Sequence, residues 1–156
     1  WFINWLLLDT FIFGVLLIAV FFITGCGGEK TLTCTNTEEQ SGISMDQEVT
    51  MTFKDDKVTD VKMSINSKAT SSLIKNNWDT FASTMDKQFE EKNEDGIKLS
   101  KTNDADNHSY KVELDIDLEK ASDDALSEYG LSGITNSKAS YEETKKDAED
   151  SGFTCK

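Results

Sequence analysis

Few residues of this chain could carry out chemistry by themselves: there are three cysteines, Cys26, Cys34 and Cys155, and one histidine, His108. His108 lies in a short polar stretch that predicts a hairpin loop. A Ser-His-Asp triad has no distinguishing signal, because Ser and Asp are abundant throughout the chain. A zinc site needs several His or Cys ligands together, and this set is too small. The sequence therefore predicts no catalytic residues, no metal site and no cofactor.

Carboxylates are the other reactive groups, and calcium is the metal that they would bind. The candidates are Asp104 with Asp106 and Asn107, then Glu113, Asp115 and Asp117, and finally Asp123 with Asp124. None has the spacing of an EF-hand loop, which requires glycine at the sixth position and glutamate at the twelfth. Acidic residues at alternate strand positions usually form a solvated face. We therefore expect a solvated acidic surface, and calcium binding is the alternative.

The charge composition excludes one class of partner. The chain has 156 residues, of which 29 are acidic and 16 basic, and every basic residue is Lys. Residues 26–156 carry a formal net charge of −12, since Asp9 is the only charge before them and the whole chain has −13. Nucleic-acid binding depends on cationic neutralisation of phosphates, and Arg is its usual bidentate ligand. We expect no nucleic-acid partner.

Cys26 lies at the boundary between an apolar N-terminal segment and a polar, charge-rich remainder of the chain. Residues 11–23 are an uncharged apolar run of thirteen residues. This length suits the core of a signal peptide and is short of the roughly 20 residues of a membrane span. The run ends in Ile23, Thr24, Gly25 and Cys26, which resemble the lipobox of bacterial lipoproteins. In that pattern the Cys26 thiol takes up diacylglycerol, and a peptidase cuts the chain between Gly25 and Cys26.

The lipobox resemblance implies a division of the chain into three parts. Residues 1–25 would be a lipoprotein signal peptide, residues 26–30 the lipidated cysteine with a flexible Gly-Gly tether, and residues 31–156 a single extracytoplasmic domain. Two acyl chains hold a protein stably at a bilayer. The implied location is the cell membrane, lipid-anchored and facing the extracytoplasmic side. An uncleaved transmembrane anchor and an ordinary secretory signal are the alternatives.

The remaining cysteines, Cys34 and Cys155, lie near the two ends of the extracytoplasmic domain. Exported domains meet an oxidising environment, in which thiols pair. A disulfide that closes a loop of this length stabilises a protein by about 4–5 kcal/mol in the chain-entropy treatment, and it would also fasten the C-terminus. We predict a Cys34–Cys155 disulfide; the alternative is two free thiols.

Alternating patterns predict the strands that position these residues. The strands are expected at residues 31–37, 48–53, 58–66, 97–102 and 109–118. The clearest is the last, where Tyr110, Val112, Leu114 and Ile116 face inward between charged residues. A polar loop or a wide hairpin connection is expected over residues 35–46.

Helical spacing appears in three places. Apolar residues at Ile74, Trp78, Phe81, Met85 and Phe89 predict one long amphipathic helix over residues 71–93. A short helix is expected from the cap Ser122 to Tyr129, and a last one from a capping box at Ser140 to Gly152.

The order of elements is β-β-β-α-β-β-α-α. It predicts an α+β fold with an antiparallel sheet of about five strands, one face of which is covered by the long amphipathic helix and the shorter helices.

Three stretches beyond the lipobox carry a resemblance to a known family. They are residues 31–35 (Thr-Leu-Thr-Cys-Thr), 49–59 (Val-Thr-Met-Thr-Phe-Lys-Asp-Asp-Lys-Val-Thr) and 151–156 (Ser-Gly-Phe-Thr-Cys-Lys). They look like small lipoproteins of Bacillota and Mollicutes and are similar to the YehR-like lipoprotein family. That family has no established function or active site, so the resemblance implies a fold and a location and no site residues.

Two functions remain in view. The first is a non-enzymatic binding or interaction module at the outer face of the membrane, with an unknown protein or small-molecule ligand. The second is a cell-surface enzyme with a carboxylate-based site. An apolar patch of several hundred Å² on the helix-free sheet face would indicate the first. A concave pocket with perturbed carboxylates would indicate the second.

Overall fold

The computed structural model describes residues 29–55, 57–94, 96–128 and 140–156. The predicted signal peptide, the cleavage site at Gly25, the lipidation site Cys26 and the tether up to residue 28 lie outside the described residues, as does Tyr129. In the described part of the chain, no helix is long and apolar enough to cross a membrane.

The described strands form one antiparallel sheet in the order β4-β5-β6-β3-β2-β1-β7. They are β1 (Lys30–Gln40), β2 (Ile43–Lys54), β3 (Lys57–Ala69), β4 (Lys92–Glu94), β5 (Ile97–Asp104), β6 (Ser109–Asp117) and β7 (Thr154–Cys155). The sequence predicts about five strands, whereas the described residues form seven. The two that were not predicted, β4 and β7, have only three and two residues and show no alternation. The mixed helix-and-strand class agrees with the prediction.

Four helices lie in the described residues, and their apolar sides pack on one face of the sheet. They are α1 (Ser72–Asn76), α2 (Trp78–Gln88), α3 (Asp123–Glu128) and α4 (Tyr141–Asp150). Leu126 of α3 and Ala148 of α4 join a first core cluster over β1, β2 and β3, whereas Trp78 of α2 centres a second over β5 and β6. Leu114 packs against both clusters, so the core is continuous across the sheet.

Residues 35–46 form a hairpin, one of the two predicted alternatives, but its connection is tight and not wide. β1 continues to Gln40, and β2 begins at Ile43, which is directly opposite Gln40. The two residues between them, Ser41 and Gly42, have φ of 54° and 82°, the left-handed values of a type I′ hairpin turn. Backbone pairing needs no apolar side chains, so this polar end of the hairpin forms strands that an alternation pattern does not reveal.

The prediction of a single helix over residues 71–93 is wrong. Asn77 separates α1 from α2: its Nδ2 donates to the Leu73 carbonyl at 2.8 Å and its backbone N–H to the Ile74 carbonyl at 3.0 Å. An asparagine that satisfies the last carbonyls of one helix competes with continuation of that helix. α2 then ends at Gln88, well before residue 93. The predicted stripe still packs inward, with Trp78 and Met85 buried.

The predicted caps are present. The Ser140 Oγ accepts from the Glu143 N–H at 3.5 Å, and the Ser122 Oγ accepts from the Ala125 N–H at 3.2 Å. At the end of α4, Gly152 has φ of 93°, and the Phe153 N–H donates to the Ala148 carbonyl at 3.0 Å. This Schellman motif turns the chain back towards the sheet, where β7 pairs with β1.

Candidate functional site

The structure has the predicted disulfide between Cys34 and Cys155. The two residues lie opposite each other on β1 and β7, and Cys34 is 1% exposed. The pairing continues at Thr33 and Lys156, whose backbones exchange hydrogen bonds of 3.1 and 3.0 Å. The disulfide is therefore a structural link between the first and last strands, within the covered face of the sheet.

His108 occupies the turn between β5 and β6, as predicted, with φ of 48°. Its ring meets the edge of Trp78 with centroids 5.8 Å apart, and its carbonyl accepts from the Ala69 N–H at 3.0 Å. In the same turn the Asp104 carboxylate accepts from the Asn107 side chain at 2.7 Å, and this hydrogen bond lowers the pKa of Asp104. These contacts shape the turn and pack it on the core.

The acidic residues of β6 that were candidate calcium ligands each have a lysine partner. The pairs are Glu113 with Lys111 at 2.5 Å, Asp115 with Lys62 at 3.1 Å, and Asp117 with Lys120. The hydrogen bond from Lys120 lowers the pKa of Asp117. Over the described residues there is no group of three or more His, Cys, Asp or Glu side chains that could hold a metal ion.

The sheet face opposite the helices is polar across its central strands. The strand register places side chains of this face in rows across β2, β3, β6 and β5. One row is Thr50, Lys62, Asp115 and Lys98, and the next row is Glu48, Ser64, Glu113 and Ser100. The apolar residues of the same strands alternate to the helix side. This helix-free face has no apolar patch among the described residues.

A shallow groove of about 370 Å³ lies on the helix-free face, and these two rows line it. Met63 and Leu114 also line the groove, and because their side chains pack in the core their main chains contribute its floor. Ser64 and Ser100 are the smallest lining side chains, whereas Glu48 and Lys98 are long and stand at its two ends. The groove can therefore hold a small polar ligand between opposite charges.

A polar cluster that sequence analysis missed lies on the other face, where the buried Tyr110 meets the exposed Asp86 and the half-buried Lys101. The Tyr110 hydroxyl donates to Asp86 Oδ1 at 2.6 Å, and the Lys101 ammonium lies 3.2 Å from the same oxygen. Burial raises the pKa of Tyr110, and the hydrogen bond from Tyr110 lowers the pKa of Asp86. The cluster joins α2 to the sheet. The sequence does contain a signal for this cluster. Alternate residues of a strand lie on one face, so Lys101 lies on the same face of β5 as the buried Ile97 and Leu99.

Two solved structures resemble this chain. An NMR structure of a protein from Streptococcus pneumoniae TIGR4 has a TM-score of 0.53 at 16% sequence identity, and the match covers 88% of this chain and 90% of that one. An NMR structure of the E. coli YehR protein has a TM-score of 0.48 at 18% identity, covering 83% of this chain and 93% of that one. No protein-family model and no curated protein match the sequence. The pneumococcal likeness shows a shared fold only.

Proposed function

We propose that this protein is a membrane-tethered extracytoplasmic lipoprotein whose domain is a non-enzymatic binding module. The observation that carries the binding role is the groove on the helix-free face, lined by the Glu48 and Lys62 rows. Among the described residues no helix covers this face, and the side chains of its two rows are exposed or half-buried. This face carries hydroxyls and charges that a small polar ligand could engage.

Two observations support the location. The resemblance of residues 23–26 to a lipobox favours a lipid on Cys26, at the start of the domain. The Cys34–Cys155 disulfide suits an oxidising compartment outside the cytoplasm. With the lipid at one end of the domain, the helix-free face would be held near the membrane and exposed to molecules outside the cell.

The character of the groove favours a small polar ligand over an apolar protein surface. Among the described residues, Leu73 is the large hydrophobic residue with high exposure, at 72%, and it lies on α1, which packs on the other face of the sheet. A single exposed leucine does not make an interaction patch. Binding on the helix-free face would therefore rest on hydrogen bonds and charge.

Three acidic side chains outside the groove act as structural hydrogen-bond acceptors. A general acid needs a carboxyl group whose pKa is raised towards neutrality. Asp86, Asp104 and Asp117 each have a lowered pKa because of a hydrogen bond that stabilises the carboxylate. None of the three lines the groove. Their shifts fit structural acceptors.

The test is a binding survey on the full chain in lipid nanodiscs. Saturation-transfer NMR would compare free amino acids, di- to tetrapeptides, disaccharides and polyamines. Ser64→Trp fills the centre of the groove, and Thr31→Trp, at an exposed position on the same face two strands away, is the matched control. We expect at least one ligand class to bind the wild type and Thr31→Trp, and Ser64→Trp to lose that binding at least about tenfold.

Three results would overturn the proposal. They are no binding by any class, equal binding by Ser64→Trp, and conversion of a bound compound into a product. The last would make the protein a surface enzyme.

A further inference from the structure

We infer that the groove on the helix-free face binds a short linear peptide with free termini, its amino group at Glu48 and its carboxylate at Lys98. This inference rests on the proposed binding function and names the class of ligand.

The first ground is the placement of two unpaired charges. Glu48 lies on β2 and Lys98 on β5, the two outer strands of the four that line the groove. Both side chains are exposed, and neither forms an ion pair or a side-chain hydrogen bond with another described residue. The groove therefore offers one carboxylate and one ammonium, at opposite ends, to a ligand.

The second ground is the neutral character of the middle of the groove. The Lys62 ammonium pairs with Asp115 at 3.1 Å, and Glu113 pairs with Lys111 at 2.5 Å, so these charges balance each other. The hydroxyls of Ser64 and Ser100 lie in the same rows. Hydroxyls donate and accept hydrogen bonds, which suits the N–H and C=O groups of a peptide backbone.

The third ground is length. Neighbouring strands are about 4.8 Å apart, so the three steps from β2 to β5 separate the two backbones by about 14 Å. An extended peptide covers about 3.3–3.6 Å per residue, so about four residues match that separation.

The same residues disfavour other polar ligands. With the Lys62–Asp115 and Lys111–Glu113 pairs balanced, Glu48 and Lys98 set the field of the groove, so a ligand charged with one sign only would be attracted at one end and repelled at the other. The described residues that line the groove include no aromatic side chain, so they offer no stacking surface of the kind that commonly holds a sugar ring. A zwitterion that is charged only at its two ends avoids this repulsion.

The experiment uses tetra-alanine, whose only charges are its termini, on the full chain in lipid nanodiscs. Affinity would be measured by NMR titration for the free peptide, the N-acetylated peptide and the C-terminal amide. On the wild type we expect each blocking group to weaken binding about three- to fivefold, which is the loss in affinity expected when one exposed ion pair is removed.

Variants assign each terminus to a residue. In Glu48→Gln the free peptide should bind about three- to fivefold more weakly, and N-acetylation should have no further effect. In Lys98→Met the free peptide should also bind about three- to fivefold more weakly, and conversion of its C-terminus to an amide should have no further effect. Glu39→Gln and Lys68→Met are matched controls, because they remove one charge of each sign from the far end of the helix-free face, and both should behave as wild type.

Two results would overturn the inference. One is equal affinity for free and blocked peptides in the wild type. The other is binding of a disaccharide, an amino acid or a polyamine in the groove when tetra-alanine does not bind, which would leave the proposed binding function standing with a different ligand. Absence of binding by every class would remove the proposed function as well.

Discussion

Cys34 of β1 and Cys155 of β7 lie directly opposite each other with their Cα atoms 4.1 Å apart, and a disulfide joins them across 121 residues of sequence. β7 has only two residues, so its backbone pairing with β1 is short. α4, which precedes β7, contributes the buried Ala148 to the first core cluster. The disulfide therefore holds both the edge of the sheet and the helix that covers it.

Removal of this disulfide is the largest stability change that we predict. Cys155→Ala should lower the free energy of unfolding by about 4 kcal/mol or somewhat more, because a loop of more than a hundred residues is no longer closed in the unfolded chain. Urea unfolding with and without reductant measures the change. Cys26→Ala is the control and should leave stability unchanged. Reaction of both Cys34 and Cys155 with a maleimide in folded, unreduced protein would contradict the prediction.

The predicted lipid anchor gives a separate test. Two acyl chains on Cys26 should take the protein into the detergent phase of a Triton X-114 extract, and Cys26→Ala should move it to the aqueous phase. Cys155→Ala, which keeps the lipidation site, should stay with the detergent. If Cys26→Ala still partitions like the wild type, the lipid is not on Cys26.

Two glycines with positive φ should differ in their tolerance of a side chain. At Gly42, with φ of 82°, an added Cβ would lie 2.5 Å from the Ser71 Cβ, whereas at Gly152, with φ of 93°, it meets nothing within 4 Å. We expect Gly42→Ala to cost about 2–4 kcal/mol of unfolding free energy, from backbone strain and overpacking, and Gly152→Ala about 1 kcal/mol from strain alone. Thermal and urea unfolding would measure both. Equal losses would show that the contact with Ser71 relaxes freely.

The raised pKa of Tyr110 predicts that the folded protein loses stability at alkaline pH. Burial and the hydrogen bond to Asp86 raise the pKa of Tyr110 in the folded protein above its value in the unfolded chain. The stability from this group is complete below the unfolded pKa of about 10 and is lost as pH rises further, because only the unfolded chain then releases the proton.

The measurement is urea unfolding at several pH values from 8 to 11. The free energy of unfolding should fall more steeply above pH 10 in the wild type than in Tyr110→Phe. Tyr141→Phe is the control and should keep the steep fall. Parallel curves for the wild type and Tyr110→Phe would show that Tyr110 ionises alike in both states.

Sequence patterns predicted the parts of the fold that depend on side-chain chemistry. The buried alternation from Tyr110 to Ile116, the cap at Ser140 and the turn at Gly152 are each set by a few neighbouring residues, and all are present. The disulfide followed from counting the thiols of a domain that is predicted to be exported. These features depend little on which strand lies beside which.

The parts that sequence missed depend on partners far along the chain. The extension of β1 and β2 up to the tight turn at Ser41 and Gly42 is held by backbone pairing between polar residues. The groove exists because four strands bring Glu48 and Lys98 to opposite ends of one face, and only the register reveals this. Alternation predicted that such residues point to solvent, but it could not show which of them become neighbours.

Lys101 is a basic side chain on the covered face, and it supports the end of α2. Its ammonium donates to the carbonyls of Asp86 and Phe89 at 3.0 and 2.9 Å and lies 3.2 Å from the Asp86 carboxylate. A cation at a helix C-terminus stabilises the unpaired carbonyls there, and charged hydrogen bonds add to this. Lys101→Met keeps the aliphatic length and should lower the free energy of unfolding by about 2 kcal/mol.

The matched control is Lys87→Met, which removes an exposed lysine from the last turn of the same helix and should cost less than about 0.5 kcal/mol. Hydrogen exchange at the amides of Phe89 and its neighbours would locate the change, because the end of α2 should open more readily in Lys101→Met than in Lys87→Met. Equal stability and equal exchange in the two variants would show that water replaces the ammonium at these carbonyls without loss.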